Sequence, residues 1–381
     1  MIKKLACIIF LIISACTGIQ AQDTSHLRIS LLTCTPGDEL YSIFGHSAIR
    51  VTDSIRGSDI VYNYGTFDFD DPHFYTKFAR GKLLYFVSAE YFTDFRDNYR
   101  STHRGMTEQM LNLSDEEKTA LQNALNENLK EENKFYLYDF FFDNCTTRLR
   151  DFIVKYKHPT PVLPAVLPVT KTFRNAIHQY LNNGKQYWSK LAIDLLLGAR
   201  TDRIMTPAEQ QFLPNNLMLA LDKAEPDVIA EKKQLYTYEP LRAEEPVFTP
   251  LVVFSLILLL FVALQFYSKN KSHDLLSRLD GLLFFVTGLI GFILLFMWFG
   301  TVHIMTKNNY NLLWALPSHA MIAFFVQSRK RWVRYYFLGT GILMLLLTLT
   351  WFFLPQQMNI AFLPFALLLL FRSFFRFSVK H

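Results

Sequence analysis

From Val247 onward the chain runs through five apolar stretches, at about 247–267, 280–302, 311–327, 335–354 and 358–377. Each approaches the roughly 20 residues a helix needs to cross a bilayer. Hydrocarbon tolerates only segments whose backbone groups are paired without water, so stretches of this length predict a helical membrane region of five spans. The connections between them sort by charge. Residues 268–279 carry Lys269, Lys271 and Arg278, residues 328–334 carry Arg329, Lys330, Arg331 and Arg334, and the tail carries Arg372, Arg376 and Lys380. The alternate connections, 303–310 and 355–357, carry only Lys307. Basic residues flank spans on the cytoplasmic side. The C-terminus is therefore expected in the cytoplasm and everything before Val247 outside it.

The other end of the chain predicts the same orientation. Lys3 and Lys4 precede a short apolar core, Leu5 to Ile13, as in an export signal over residues 1–21. Its end has three readings. Ile13-Ser14-Ala15-Cys16 has the form of a lipobox, whose cysteine becomes a lipidated first residue; Ile19-Gln20-Ala21 suits cleavage after Ala21; or the segment stays as an uncleaved anchor. All three leave residues 22–245 outside the cytoplasm. That stretch holds 26 Lys+Arg and 31 Asp+Glu, a net of −5, whereas residues 246–381 hold 11 against 2, a net of +9. The overall +6 thus belongs to the membrane flanks, and no nucleic-acid partner is expected. With 51% apolar residues the chain has ample surface to bury, which excludes disorder.

Residues 22–245 have the composition of a globular α+β domain without repeats. Leu31-Leu32, His46 to Thr52 and Ile60 to Tyr64 read as strands, rich in β-branched and aromatic residues and parted by turn-formers such as Gly57-Ser58. Ser114 with Glu117 three residues on is a capping box opening a helix to about Asn128. Cys145 to Tyr156 spaces Leu149, Phe152, Ile153 and Tyr156 as one helical face. Four prolines between Pro159 and Pro168 break regular structure, and helices are expected again over about Lys171 to Asn182 and from Pro207.

With Cys7 and Cys16 assigned to the signal, the exported domain keeps Cys34 and Cys145. Two cysteines outside the cytoplasm ordinarily suggest a disulfide. The setting of Cys145 suggests something else. An aromatic run ends at Asp143-Asn144, both good helix caps, and the amphipathic helix starts at Cys145. A thiol in the first helical turn feels unpaired N–H groups and the positive end of the dipole, which stabilise the thiolate a nucleophile requires. Such a thiol needs a base. Among His26, His46, His73, His103, His158 and His178, His46 stands apart: Gly45 and Ser47 on either side leave its imidazole accessible at the start of a strand. A lone histidine is more often structural than catalytic.

Three separated segments resemble one family in the same order. Thr33-Cys34-x-Pro36-Gly37-Asp38-Glu39-Leu40-Tyr41-Ser42-x-Phe44-Gly45-His46-Ser47-Ala48, then Tyr62-Asn63-Tyr64-Gly65-Thr66-Phe67-Asp68-Phe69, then Asp143-Asn144-Cys145-Thr146-Thr147-Arg148 are similar to the N-terminal periplasmic domain of the Lnb family of Bacteroidetes membrane proteins. Asn311-Leu312-Leu313-Trp314-Ala315-Leu316-Pro317 resembles the same family's membrane signature. The resemblance implies a permuted papain-like, NlpC-like thiol-enzyme domain, with the histidine strand ahead of the cysteine helix, followed by the five-span helical domain. It implies lipoprotein N-acylation, in which an acyl chain passes from a phospholipid donor to the α-amine of a diacylglyceryl-cysteine lipoprotein acceptor. By matching motif positions, Cys145 is the expected nucleophile and His46 the base. Asn63 is the expected holder of the imidazole, with Asp53 as the alternative.

Tyr41, Ser42, Arg148 and His319 are the expected substrate contacts. Arg148, one turn into the cysteine helix, reads either as a phosphate ligand or as half of a salt bridge with Asp151. His303, Asn311 and His319 are placed toward the outer face of the second and third spans, where polar groups in a membrane point to function. No His, Cys or Glu set has zinc spacing, and no cofactor or metal is implied. The acidic turn Asp68, Asp70 and Asp71 reads as solvated, and the aromatic run 135–142 as core. Two other functions fit parts of the sequence: a cell-wall amidase or endopeptidase, for which five spans are superfluous, and a non-enzymatic assembly protein in which Cys34 and Cys145 are disulfide-bonded.

Overall fold

A computed structural model describes residues 26–238, 244–267 and 273–378. The expected export signal over 1–21, with Cys7 and Cys16, lies outside the described residues. The first half is built on β1 (Leu27–Cys34), β2 (His46–Asp53), β3 (Ser58–Thr66), β4 (Leu84–Tyr91), β5 (Met106–Leu111), β6 (Phe135–Leu137) and β7 (Ile229–Tyr236). They form one antiparallel sheet in the order β6-β4-β3-β2-β1-β5-β7. Around it lie α1 (Phe74–Arg80), α2 (Phe92–Ser101), α3 (Asp115–Asn128), α4 (Cys145–Tyr156), α5 (Phe173–Asn183), α6 (Tyr187–Leu196) and α7 (Pro214–Leu221), with Pro207–Gln210 a single turn. The expected strands, the Ser114–Glu117 capping box and the Cys145–Tyr156 helix are all present. Three longer strands, β4, β5 and β7, were not expected.

Strand alternation sends successive side chains to opposite faces, and here both faces are covered. Ile29, Leu31, Ile49, Val51 and Tyr62 meet Leu121 of α3, Leu149 and Ile153 of α4, and Leu217 of α7. Leu32, Cys34, Ala48 and Val61 face the other way, onto Phe92, Phe95 and Tyr99 of α2. Each fully buried aliphatic side chain contributes about 1.5–3 kcal/mol relative to exposure. The central strands β1, β2 and β3 are therefore the rigid part of the domain, and β2 begins at His46.

The second half is helical: α8 (Pro250–Tyr267), α9 (His273–Phe299), α10 (Arg331–Leu349) and α11 (Phe362–Ser378). Among the described residues three helical stretches are long and apolar enough to cross a bilayer: Pro250–Tyr267, Leu275–Phe299 and Arg331–Leu349. The expected third span, 311–327, departs from prediction. It is broken into Tyr310–Leu313, Ser318–Ile322 and Ala323–Phe325, the first and last being short, tightly wound turns of four and three residues. Pro317 has no N–H to continue a helix, and the segment instead presses its backbone onto glycines of α9. A Cβ on Gly288 would lie 2.0 Å from the Ala320 nitrogen, and one on Gly291 would lie 2.1 Å from the Ala315 oxygen. Small residues permit such close approach between membrane segments.

The tail charges also differ from expectation. Arg372 and Arg376 lie within α11 rather than in a flanking tail. Both bind the fully buried Asp280 of α9, Arg372 at 2.5 and 2.7 Å and Arg376 at 2.5 Å, and Arg372 also donates to Gln265 of α8 at 2.7 Å. They tie three helices together as buried, paired charges.

A polar clamp joins the two halves. Arg174 of α5 is fully buried and bound to Asp194 at 2.7 Å, to Asp202 at 2.8 Å and to the Thr201 hydroxyl at 2.7 Å. From the helical half, Asn359 donates to Asp194 Oδ2, Asn311 to Asp194 O, Asn309 to Leu195 O and Gln356 to Leu197 O, at 2.8–3.1 Å. Backbone bonds from Gly198 to Met305 and from Ala199 to Asn308 complete it. Breaking a buried ion pair by deleting one partner costs about 3–5 kcal/mol, so the Arg174 pairs hold the first half's side of this junction in place.

Candidate active site

The site lies where β2 starts. Gly45 has φ +81°, and a Cβ there would meet the Cys34 carbonyl oxygen at 2.8 Å, so only glycine delivers the chain into the strand at this point. His46 Nε2 lies 2.7 Å from Asn63 Oδ1 on β3. The Asn63 amide nitrogen in turn donates to Glu90 Oε1 of β4 at 3.3 Å. That second bond orients the amide so that its oxygen faces the ring. Nε2 must then carry the proton, leaving Nδ1 to accept from the Cys145 thiol.

Cys145 comes from the opposite side of the sheet, at the first residue of α4. Asn144 caps that helix: its Oδ1 accepts from Thr147 N at 2.8 Å, and its Nδ2 donates to Phe140 O at 2.7 Å and to Phe212 O at 2.9 Å. A cap of this kind contributes about 1 kcal/mol, and here it also fixes the thiol's position. The thiol reaches past Gly65, which sits in the bulge between Tyr64 and Thr66 with φ +92°. A Cβ on Gly65 would lie 3.7 Å from the Cys145 Cβ and 3.8 Å from the Tyr138 ring.

Burial raises the pKa of the Cys145 thiol, yet the opposing contributions win and hold it down to about 7. The charge of His46 and its hydrogen bond contribute most, followed by the Ser47 N–H and the Thr146 hydroxyl. The imidazole moves the other way. Burial lowers the His46 pKa, but the Cys145 charge and the hydrogen bonds to Cys145 and Asn63 leave it raised overall. The pair is thus biased toward thiolate and imidazolium, the reactive form of a cysteine nucleophile.

The other expected residues are dispersed. Asp53 is at the far end of β2, about 23 Å along the strand from His46. Its Oδ1 accepts from Ile55 N and Arg56 N in the hairpin turn, so it cannot hold the imidazole. Tyr41 is exposed on the loop before β2, whereas Ser42 is buried and donates to Glu39 O at 3.0 Å within that loop. Arg148 makes a two-pronged pair with Asp143, at 2.6 and 2.8 Å, and lies 3.6 Å over the Tyr136 ring. The expected partner, Asp151, pairs with Arg150 instead.

In the helical half, Asn311 belongs to the clamp, and His303 lies against Gly81. His319 is fully buried, 2.6 Å from the Tyr336 hydroxyl in the second turn of α10, with its ring edge-on to Phe284 about midway along α9. Cys34 and Cys145 are both free thiols, so no disulfide joins them. Asp71 pairs with Lys77, and the run 135–142 is mixed, with Tyr136 and Phe141 buried but Phe135, Leu137 and Phe142 exposed.

Sequence reasoning missed Glu90, Ser47 as thiol donor, and Arg104. The Arg104 guanidinium lies 4.5 Å over the Tyr99 ring, donates to Thr35 O at 2.9 Å, and lowers the pKa of both His46 and Cys34. A cavity of about 220 Å³ opens on the Cys34 side of the histidine, lined by Cys34, Phe44, Gly45, Thr107, Tyr180 and Pro214 among others. Comparison with known families matches residues 17–179 to the Lnb N-terminal periplasmic domain and residues 242–381 to the Lnb transmembrane domain. Neither a curated protein nor a solved structure matches the chain. The chain is thus a membrane protein with a periplasmic N-terminal domain and a transmembrane C-terminal one.

Proposed function

The chain belongs to the Lnb family, and on that premise we propose that it is a thiol-dependent lipoprotein N-acyltransferase drawing its acyl chain from a phospholipid. In this reading residues 1–21 export the chain, 22–245 form the periplasmic catalytic half, and 246–381 span the inner membrane five times with the C-terminus in the cytoplasm. The label of the matched membrane model, which counts five transmembrane helices, supports that number. It requires the broken segment 311–327 and the 17-residue α11 to cross along with the three longer helices. The sheet domain is a permuted papain-like one: histidine strand first, asparagine on the next strand, cysteine on a following helix.

The observation that carries the proposal is the row Glu90–Asn63–His46–Cys145, with its lowered thiol pKa. The thiolate attacks the ester carbonyl of a phospholipid. A bond forms between Sγ and the carbonyl carbon, the carbon–oxygen ester bond breaks, and the imidazolium gives its proton to the departing lysophospholipid oxygen. Asn144 occupies the Thr147 N–H, which leaves the Cys145 N–H at the helix start for the developing oxyanion. In the second half the α-amine of the acceptor attacks the thioester. His46 takes the amine proton, the carbon–sulfur bond breaks, and the thiolate returns. A thioester suits both steps, because it reacts readily with amines and persists when water is excluded.

The test is mass spectrometry of a native lipoprotein's N-terminal peptide from cells carrying the wild-type chain, a deletion, or Cys145→Ala. Loss of the N-linked acyl chain in both altered strains, with restoration by the wild type, is the expected result. Full acylation in the Cys145→Ala strain, with the deletion still defective, sinks the thiol mechanism.

A further inference from the structure

The β3–β4 connection, residues 67–82, carries aromatic side chains that the fold does not bury. Helix α1 within it has no buried residue at all. Phe69, Tyr75 and Phe78 are 70%, 81% and 56% exposed. A water-facing loop has no use for three exposed rings so close together. Their place in the molecule supplies one. Val302 N, just past the end of α9, donates to Arg80 O at 3.1 Å. Gly81, with φ +69°, packs so closely that a Cβ would lie 2.9 Å from Val302 and 3.0 Å from His303. The connection is therefore pinned where a membrane helix leaves the bilayer, beside the exposed Phe299. Arg80 and Lys82 are exposed in the same segment and have no ion pair among the described residues.

The rings continue inward. Phe67 lies 4.9 Å from Phe69 and 5.2 Å from Tyr85, and Tyr85 stacks on Tyr138 at 4.3 Å. Tyr138 flanks Gly65, across which Cys145 sits. We propose that residues 67–82 form an interfacial hook whose outer rings enter the periplasmic leaflet, and that the row Phe67, Tyr85 and Tyr138 guides a phospholipid acyl chain from it to Cys145. Aromatic rings favour the level of the headgroups, and Arg80 with Lys82 complements lipid phosphate there. This deepens the acyltransferase reading and rests on it for the identity of the chain's destination, whereas the membrane insertion stands by itself.

The test uses the full chain in nanodiscs of phosphatidylethanolamine and phosphatidylglycerol. An environment-sensitive fluorescent amino acid replaces Phe78, and lipids brominated on the acyl chains serve as quenchers. Quenching by these lipids is expected; unquenched, water-like emission overturns the hook whether or not the protein transfers acyl chains. In parallel, Phe69→Ser, Tyr75→Ser and Phe78→Ser are combined. Transfer from bilayer phospholipid is expected to fall at least about tenfold, with turnover of a short-chain soluble ester unchanged. Equal loss on both substrates overturns the hook's part in lipid delivery. A quenched probe in a wild-type chain that transfers nothing leaves the hook standing and removes the acyltransferase reading.

Discussion

Cys34 and Cys145 flank the same imidazole, and both are buried, yet their chemistry diverges. Cys34 is the register partner of His46 across β1 and β2. It ends β1, 1% exposed, where burial pushes its pKa up to about 12, only partly offset by the Arg104 charge and a hydrogen bond with Tyr99. Cys145 suffers the same burial but starts a helix and receives the imidazole, the Ser47 N–H and the Thr146 hydroxyl, and it falls to about 7. The charge and hydrogen bond of the imidazole bring Cys145 down, whereas the groups that lower Cys34 are Arg104 and Tyr99. The start of α4, passing beside Gly65, presents the Cys145 sulfur to the imidazole and to the Ser47 N–H.

The comparison makes graded predictions. Cys145→Ala is expected to lower acyl transfer by the purified protein on the order of 10⁴-fold or more, measured with labelled phospholipid; Cys34→Ala should stay within about threefold. Comparable losses from both would erase the distinction. Next comes His46→Gln, read by the pH dependence of iodoacetamide alkylation at Cys145. In the wild type the rate rises through pH of about 7, as the thiolate forms. Without the imidazole the raising effect of burial is unopposed by its largest counterweight, so the midpoint moves upward, past the ordinary 9.0. At pH 7 this is a loss of about 100-fold in alkylation rate.

Smaller effects sharpen the same contrast. Asn63→Ala removes a bond that raises the His46 pKa, so the imidazolium should become less persistent and transfer should drop about 10- to 100-fold. Glu90→Gln can still accept from Asn63 and should cost less than tenfold. The smallest expected change is in stability: Cys34→Ala loses about 1–2 kcal/mol from a packed position, seen as a modest fall in Tm with alkylation at Cys145 unaltered.

What the sequence disclosed follows the range of the forces involved. The Asn144 cap, the Ser114–Glu117 box and the face Leu149, Ile153 and Tyr156 act within four residues and are visible locally. The pairing of His46 with Asn63 came from family motifs, because a register between strands is fixed by contacts many residues apart. Glu90 stayed hidden for that reason: β4 was not recognised, and nothing near Glu90 marks it as facing Asn63. Asp53 could have been set aside from the sequence, since a strand from His46 to Thr52 puts it about 23 Å from the imidazole; what the sequence lacks is the β2–β3 register that brings Asn63 beside His46. In the membrane half, a hydropathy window registers the apolar content of 311–327 but not the glycines of α9 that let it run as broken turns. Counting Arg372 and Arg376 as flanking charges failed similarly, since their partner Asp280 lies 92 and 96 residues away.

The clamp around Arg174 has a practical and an evolutionary consequence. Asp194 and the carbonyls of Leu195 and Leu197 are satisfied by amides at Asn309, Asn311, Gln356 and Asn359, from two outer connections far along the chain. A sheet domain cut free before α8 would bring these acceptors into solution without their donors, and α6 would lose the surface it rests on. Exchanging one half for that of a relative imports amides cut to a different set of acceptors. The two halves are therefore under pressure to drift as one unit, and a change on either shore of that junction is expected to be answered on the other.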